Sequence, residues 1–494
     1  MAAMSQTLSP LDAMFLELEQ SDEGAVMSIG AAMVFEPLPA GGAPPWDQAV
    51  RNLDKRLALL PRFKQRLSST RVGGLHWPAW EPVDHFDLAD HFHRAMLPSS
   101  GGDDELFEWM SDFYSHRLDR TRPLWEMALV EGLADGRWAV VSKVHHCLVD
   151  GVGGIDVGQL LLDSSPEQSA PSHVHVSADT GDAADRHDGH GGRLPWWTPP
   201  GMLWHGARTA LDLAVHPQQL LQMADRARAA GSVLVRDELV PAPKSSLNVP
   251  IGATRRFTAL RFTVDDFRQI KTRLGGTVND VALALCAGGL RSLLLHRGDE
   301  LPPAGLRGQI PVNIRPATEE YALGNRLTSL FIPLHVSEPD PLTRYKRTVA
   351  EAEALKSSSQ AVGARTLIEL TGLAPPALHI YLAQTLFDVR LFNLTITNVP
   401  GPKSTLYSFG VPMVELLPLV PLFARHSVGI AIFSYDGGIV FGLNADRDAV
   451  PDLDVLAKGI EESFAELKKL TQETKKPTQV TSGNGRRRHQ PASR

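Results

Sequence analysis

The chain is predicted to be an α/β protein made of two halves, each with mixed strands and flanking helices. Its 494 residues exceed what one hydrophobic core ordinarily holds. Helical and strand-like patterns occur in both halves, and a polar stretch between them breaks the periodicity. We therefore expect an N-terminal half over 1–163, a crossover over 164–244, a C-terminal half over 245–470 and a disordered polar tail over 471–494.

In the N-terminal half, apolar residues at helical spacing predict helices over 49–60 and 104–118. Runs rich in apolar and β-branched residues predict strands over 125–130 and 138–144. A further apolar face over 153–163 predicts a helix shortly after the second strand. The second strand and this helix therefore enclose a short turn.

The crossover begins with a Pro-, Ser-, Asp-, Gly- and His-rich segment, 164–200, and continues with a long amphipathic helical region over 202–230. An Asp436-Gly437 dipeptide between two apolar runs predicts a hairpin in the C-terminal half. The other elements expected there are helices over 277–295, 345–356, 373–386 and 453–470 and strands over 309–314, 327–336, 394–398, 427–433 and 438–443.

Composition excludes several classes of protein. A formal net charge of −7 disfavours a general nucleic-acid binder, because neutralising phosphates requires a basic face. Two cysteines, Cys147 and Cys286, are too few for a disulfide framework and favour a reducing cytosol. The first residues lack the pattern of a signal peptide, and the apolar stretch 411–423 is interrupted by three prolines. We expect membrane contact to be peripheral.

The most informative segment runs from His145 to Gly151 and reads His-His-Cys-Leu-Val-Asp-Gly. It lies where the predicted strand 138–144 ends and the chain turns towards a helix, a place where a rigid scaffold can present side chains to a cleft. A neutral histidine accepts a proton near neutral pH, because its unperturbed pKa is about 6.5. The sequence lacks a Gly-x-Ser-x-Gly elbow, a His-Glu-x-x-His zinc motif, a Cys-x-x-Cys pair, a dinucleotide loop and a Walker loop. The remaining interpretation is a base that activates an acceptor directly.

His-His-x-x-x-Asp-Gly resembles the signature of the bacterial wax ester synthase/diacylglycerol acyltransferase family, which shares His-x-x-x-Asp-Gly with chloramphenicol acetyltransferase and peptide-synthetase condensation domains. Pro123-Leu124-Trp125 and Asn279-Asp280 resemble two further family elements. The segments at 8–12 and 398–402 resemble family sequences at both ends. Because several motifs occur in the family's order over about residues 5 to 470, the resemblance is far more specific than one motif.

The resemblance implies a role for each motif residue. His146 is expected to be the general base, Asp150 to fix the shape of the turn and Gly151 to permit it. His145 either shapes the site or packs, and the sequence leaves both readings open. Cys147 is expected to be a small apolar filler rather than a nucleophile. A metal site formed by the two histidines and Asp150 is the less favoured alternative, because no second ligand cluster has suitable spacing.

Each of the other motifs has a structural interpretation as well as a functional one. Pro123-Leu124-Trp125 is expected to be a structural element lining the cavity. Asn279 and Asp280 are expected to cap a helix, although Asn279 could instead donate to an oxyanion. The tryptophans Trp196, Trp197 and Trp204 are expected to pack the crossover onto the halves, with docking at a membrane surface as the alternative.

By the same resemblance, the fold consists of two halves like chloramphenicol acetyltransferase with a tunnel between them and His146 near its middle. The expected reaction transfers a long-chain acyl group from acyl-CoA to 1,2-diacylglycerol, without an acyl-enzyme and without a cofactor. Long-chain alcohols, or another lipid hydroxyl, are alternative acceptors, and an inactive lipid-droplet binding protein is the non-enzyme alternative. The protein is expected in the cytoplasm, at the surface of the inner membrane or of lipid droplets. The sequence identifies neither the CoA-binding residues nor the oligomeric state.

Overall fold

Two six-stranded mixed sheets form the framework of the protein in the computed structural model, which describes residues 7–68, 78–149, 161–167, 241–313, 327–357 and 391–473. The helices in these ranges are α1 (Pro10–Ser21), α2 (Trp46–Leu57), α3 (Asp103–Phe113), α4 (Val264–Leu274), α5 (Val278–Arg297), α6 (Pro341–Ser357) and α7 (Leu453–Glu473). The strands are β1 (Ser28–Phe35), β2 (Gln65–Leu67), β3 (Trp80–Pro82), β4 (Phe92–Met96), β5 (Trp125–Glu131), β6 (Trp138–His145), β7 (Arg255–Thr263), β8 (Leu306–Asn313), β9 (Leu327–Leu334), β10 (Leu394–Pro400), β11 (Tyr407–Ser408), β12 (Val411–Leu419), β13 (Val428–Tyr435) and β14 (Gly438–Asp446).

The first sheet has the order β11-β12-β1-β6-β5-β4. Its strands are antiparallel except for the parallel pair β4 and β5. Strands β11 and β12 belong to the C-terminal half of the sequence, so the sheet combines segments from both halves. β12 pairs with β1 from Gly30 opposite Leu419 to Phe35 opposite Met413. The first sheet therefore contains strands from both sides of the predicted crossover, 164–244.

The second sheet has the order β7-β14-β13-β10-β8-β9 and is also mixed, because β10 runs parallel to both β8 and β13. Helix α5 is buried along most of its length in the core of this half. Helix α3 joins the two sheets, since its Ser111 accepts the backbone N–H of Phe257 in β7 at 2.9 Å and Phe107 meets Phe257 edge-on. The two layers therefore share an interface at β7.

The predicted α/β class with mixed sheets is confirmed. Strands β5 and β6 lie where the sequence placed them, and the predicted hairpin is formed with Asp436 and Gly437 at φ values of 42° and 84°. Helix α3 is shorter than predicted, since it ends at Phe113 rather than at Leu118. Leu118 is buried in the cluster around α2 instead of continuing the apolar face of α3.

The predicted helix over 153–163 lies mostly outside the described residues, and its last three positions are not helical. Asp163 instead forms a β-bridge with Tyr407 and a buried ion pair with Arg56, 2.6 Å from oxygen to nitrogen. The prediction is wrong there because this pairing replaces helical hydrogen bonds. The predicted helices over 202–230 and 373–386, the polar segment from 168 to 200 and the tail from 474 also lie outside the described residues. The tail is predicted to be disordered from residue 471, but α7 continues to Glu473.

One described helix, α5, meets the length and composition expected of a membrane span. Length and composition alone would therefore allow this helix to span a bilayer, whereas the sequence led us to expect peripheral membrane contact. Because 72% of the qualifying stretch is buried inside the protein, α5 is accounted for as the central helix of the second core.

Candidate active site

Strand β6 carries the two motif histidines to one end of the first sheet. His145 is its last residue and lies opposite Ser28 of β1, and its N–H donates to the Leu124 carbonyl at 3.0 Å. The N–H of His146 donates to the Met27 carbonyl at 2.8 Å. Because neighbouring segments hold both peptide groups, a rigid backbone determines where the two side chains begin.

The side chain of His145 is fully buried. Its Nδ1 accepts the backbone N–H of Cys147 at 3.1 Å, so in the neutral ring the hydrogen is on Nε2. That Nε2 lies 3.6 Å from Oε2 of Glu19 in α1. Of the two readings left open by the sequence, this arrangement favours a role in shaping the turn.

Glu19 is the acidic centre of a buried network beside His145. Its Oε1 accepts the N–H of Met27 at 3.0 Å, and its Oε2 lies 3.1 Å from the guanidinium of Arg120. Burial alone would raise the pKa of Glu19, but contact with His145, the Met27 N–H and the charge of Arg120 lower the pKa to about 2. The carboxylate is therefore ionised at neutral pH and links α1 to the backbone of Met27 and to the side chain of Arg120.

His146 differs from its neighbour in both exposure and contacts. It retains 9% of its accessible surface, whereas His145 retains none. Its ring stacks on Phe15 of α1, with centroids 4.0 Å apart and planes 9° apart. An imidazole on an aromatic face with residual access is oriented and can still meet a substrate, so His146 is the better placed of the two for proton transfer.

The structure describes only some of the remaining motif residues. Asp150 and Gly151 lie outside the described residues. Within the described ranges, no group of three or more His, Cys, Asp and Glu side chains could hold a metal ion. Cys147 and Cys286 are both free and buried, and burial raises the pKa of both thiols. A buried thiol kept protonated is a poor nucleophile, which agrees with reading Cys147 as a filler.

The Pro123-Leu124-Trp125 element is structural. Leu124 and Trp125 have no exposed surface, and the indole N–H of Trp125 donates to the Phe63 carbonyl at 2.8 Å. Trp125 also stacks on His91, with centroids 4.7 Å apart. The element supports the motif through the Leu124 carbonyl that holds His145.

Asn279 and Asp280 lie in the first turn of α5. Asp280 forms a capping box with Thr277, in which the Thr277 N–H donates to Oδ2 of Asp280 at 2.7 Å. Asn279 is not the cap: its Oδ1 accepts from Nδ2 of Asn398 in β10 at 2.9 Å. Two segments that resemble the family, far apart in sequence, therefore meet at this helix end, and their described contacts are structural.

Three site residues were missed by the sequence reasoning: Phe15, Glu19 and Arg120. The sequence did offer a signal for the first two, because the family-like segment at 8–12 leads into α1, with Ser9 as its N-cap. In the sequence, the acidic residues of this segment indicate only that it is unlike a signal peptide. Arg120 carried no sequence signal, since its partners Leu16 and Glu19 lie more than a hundred residues away.

Comparisons with known proteins show which family the chain belongs to. Residues 8–282 match the family model of the wax ester synthase/diacylglycerol acyltransferase catalytic domain, and residues 323–468 match that of the C-terminal domain. The chain is 32% identical over 477 residues to a probable diacylglycerol O-acyltransferase, tgs1, of Mycobacterium tuberculosis strain H37Rv, covering 95% of this chain and 97% of that protein. A putative diacylglycerol O-acyltransferase of Mycobacterium bovis matches with the same identity and coverage.

Solved structures give the same result. The wax ester synthase/diacylglycerol acyltransferase from Marinobacter aquaeolei VT8 superposes with a TM-score of 0.67 and 28% identity, covering 94% of this chain and all of that one. A starter condensation domain of rhizomide synthetase shares the fold at a TM-score of 0.58, 13% identity and 95% coverage of both chains. The chain therefore belongs to the wax ester synthase/diacylglycerol acyltransferase family and is an acyltransferase.

Proposed function

We propose that this protein transfers a long-chain acyl group from acyl-CoA to the free hydroxyl of 1,2-diacylglycerol, with His146 as the general base. The observation that carries the proposal is the contrast between the two histidines. His145 is fully buried and its ring lies beside the Glu19 carboxylate. His146 stacks on Phe15 and retains 9% of its accessible surface. Only the second is available to a substrate.

The proposed step needs one proton carrier and no covalent acyl-enzyme. The His146 imidazole takes the hydroxyl proton while the oxygen bonds to the thioester carbonyl carbon. The tetrahedral intermediate then collapses, the C–S bond breaks, and the proton passes to the departing CoA thiolate. Both substrates are bound together, acyl-CoA is a co-substrate, and the proposal includes no cofactor. The tunnel between the halves stays a prediction.

The acceptor is tested directly by incubating purified protein with radiolabelled palmitoyl-CoA and either diacylglycerol or hexadecanol. We expect label in triacylglycerol, with wax ester as a slower second product, because the family name covers both acceptors. Preferred labelling of the wax ester would reverse the order of acceptors. Label in neither product, with a competent preparation of a relative as control, would contradict the proposal.

We further propose that the protein acts in the cytoplasm, peripherally at the inner membrane or at lipid droplets, because its acceptor and product are lipids. The tryptophans Trp196, Trp197 and Trp204 lie outside the described residues. Deleting 196–204 is expected to lower co-sedimentation with diacylglycerol-containing liposomes while leaving the thermal melting temperature unchanged. Equal sedimentation of deleted and intact protein would exclude this segment as the contact.

A further inference from the structure

The turn between α1 and β1, residues 22–25, connects two elements that both hold His146. Helix α1 carries Phe15, on which the His146 ring stacks. Two residues past the turn, the Met27 carbonyl accepts the His146 N–H at 2.8 Å. A displacement of the α1–β1 turn would therefore move both the aromatic face that orients the imidazole and the carbonyl that holds its backbone.

Arg255, the first residue of β7, contacts this turn from the second sheet. Its Nη2 donates to the Gly24 carbonyl, and its Nη1 donates to the Gly252 carbonyl at 2.6 Å. The two backbone segments are packed tightly, because a Cβ on Gly24 would lie 2.0 Å from the Ile251 carbonyl oxygen. The guanidinium therefore fastens the α1–β1 turn to the segment that leads into β7.

The Arg255 side chain is only 1% exposed, and burial lowers the pKa of its guanidinium to about 10, so the group is charged at neutral pH. Its hydrogen bonds go to the carbonyl oxygens of Gly24, Gly252 and Thr254, whereas the Asp446 carboxylate lies 3.9 Å away. Burying a charge is costly unless its donors are satisfied. Because the guanidinium donors form a rigid planar fork, this contact imposes a fixed geometry on the carbonyls it joins.

The N-terminal half holds the same turn through Arg117, an exposed residue that follows α3. Its Nε donates to the Ala25 carbonyl at 3.1 Å, and its Nη2 donates to the Asp22 carbonyl. One guanidinium from each half of the chain therefore binds the α1–β1 turn. The position of α1 depends on both halves, although α1 itself belongs to the first.

We infer that Arg255 is a positioning residue for acyl transfer, through which the C-terminal half fixes the α1–β1 turn and thereby the place of His146. The inference rests on the proposed function, in which His146 takes up the hydroxyl proton. A general base must lie within hydrogen-bond reach of that proton, and a misplacement of about 1 Å can cost about 10²-fold in rate. Gly24 and Met27 are three residues apart, so little chain is available to absorb a shift between them.

The experiment measures kcat and KM for palmitoyl-CoA and diacylglycerol in Arg255→Lys. Lysine keeps the charge, but a single ammonium group cannot reproduce the fork that joins Gly24 to Gly252. We expect kcat to fall by about tenfold or more, because the base is misplaced. Both KM values should change by less than about twofold, because the contacts with the bound substrates are left in place. Circular dichroism and thermal melting verify that the variant is folded at the assay temperature.

A second measurement follows the His146 imidazole itself. Diethyl pyrocarbonate modifies neutral imidazoles, and the rate constant for loss of transfer activity reports only on the molecules that are active. Inactivation of Arg255→Lys is expected to be faster than that of the wild-type protein, because the His146 ring is less firmly held on Phe15. A smaller fraction of folded protein would lower the activity but leave this rate constant unchanged.

The matched control is Arg261→Lys, the same substitution in the same strand. Arg261 also joins β7 to other elements, through Asp103 of α3 and Glu415 of β12, but these partners lie outside α1 and its turn. It is expected to keep kcat within about twofold of the wild-type value and to leave the inactivation rate constant unchanged. An equal fall of kcat in both variants would overturn the inference. So would a rise in KM that matches the fall in kcat, unchanged inactivation, or an undiminished kcat in folded Arg255→Lys.

Should Arg255→Lys not fold, Arg117→Gln decides, because Arg117 is exposed and holds the same turn. It is expected to lower kcat by a smaller factor at unchanged KM, and a wild-type kcat in this variant would then overturn the inference. Absence of transfer by the wild-type protein with palmitoyl-CoA would instead refute the proposed function.

Discussion

Replacing His146 with glutamine is expected to lower kcat for acyl transfer by about 10²- to 10⁴-fold, the usual contribution of a positioned general base. Glutamine keeps the approximate volume and a polar end but cannot take up the hydroxyl proton. The fold should be preserved, because the strand holds this residue through its backbone N–H, which the substitution leaves in place. The measurement is kcat with palmitoyl-CoA and diacylglycerol, together with circular dichroism and thermal melting.

A matched control is His116→Gln, which changes an exposed histidine that follows α3. It is expected to retain full activity. Loss confined to His146→Gln supports proton transfer by this side chain, because both variants remove one imidazole. Undiminished kcat in a correctly folded His146→Gln protein would exclude the mechanism.

Replacing Glu19 with glutamine is expected to lower the free energy of unfolding at neutral pH by about 3 kcal/mol. This figure corresponds to a pKa lowered from its ordinary value of 4.5 to about 2 in the folded protein. Because the folded-state pKa is depressed, the stabilisation is complete above about pH 4.5 and is lost as the pH falls towards 2. Urea unfolding between pH 7 and pH 3 should therefore show a steep acid limb in the wild-type protein and a flatter one in Glu19→Gln.

The control is Glu17→Gln, two residues earlier in the same helix. Burial raises the pKa of Glu17, so its ionised form is disfavoured in the folded state and the neutral amide should not cost stability. If Glu19 positions the motif through His145, Glu19→Gln should also lower kcat with little change in KM. A Glu19 variant as stable as wild type at every pH would show that the network does not hold the site.

Local features of the fold could be read from the sequence because they depend on neighbouring residues. The apolar run of β6 and the Asp436-Gly437 turn are examples, since pleat and turn preferences act over a few positions. The pairing of β12 with β1 could not be read, because the two strands are separated by several hundred residues. The prolines of β12 also concealed it: Pro418 is tolerated because β11 covers only the first two residues of β12.

The candidate site also combines features that the sequence indicates with features that only the fold shows. Motif spacing indicated His146, but the face that orients it belongs to Phe15 and the charge that anchors its neighbour belongs to Glu19. Both residues lie in α1, whose acidic residues are typical of a solvent-exposed helix face in the sequence. Only tertiary packing shows that one of those carboxylates is 1% exposed. Burial of a charge is a property of the whole fold, so a single sequence cannot reveal it.

The insertion of β12 beside β1 has a consequence for biosynthesis. Until residue 419 has left the ribosome, β1 lacks its outer neighbour and presents the apolar sequence Ser-Ile-Gly-Ala-Ala-Met-Val-Phe as an unpaired edge. A nascent chain in that state is prone to join another by strand addition, and closing so distant a pair is slow. The first sheet therefore stays incomplete through most of translation, and we expect fragments cut in the crossover to aggregate.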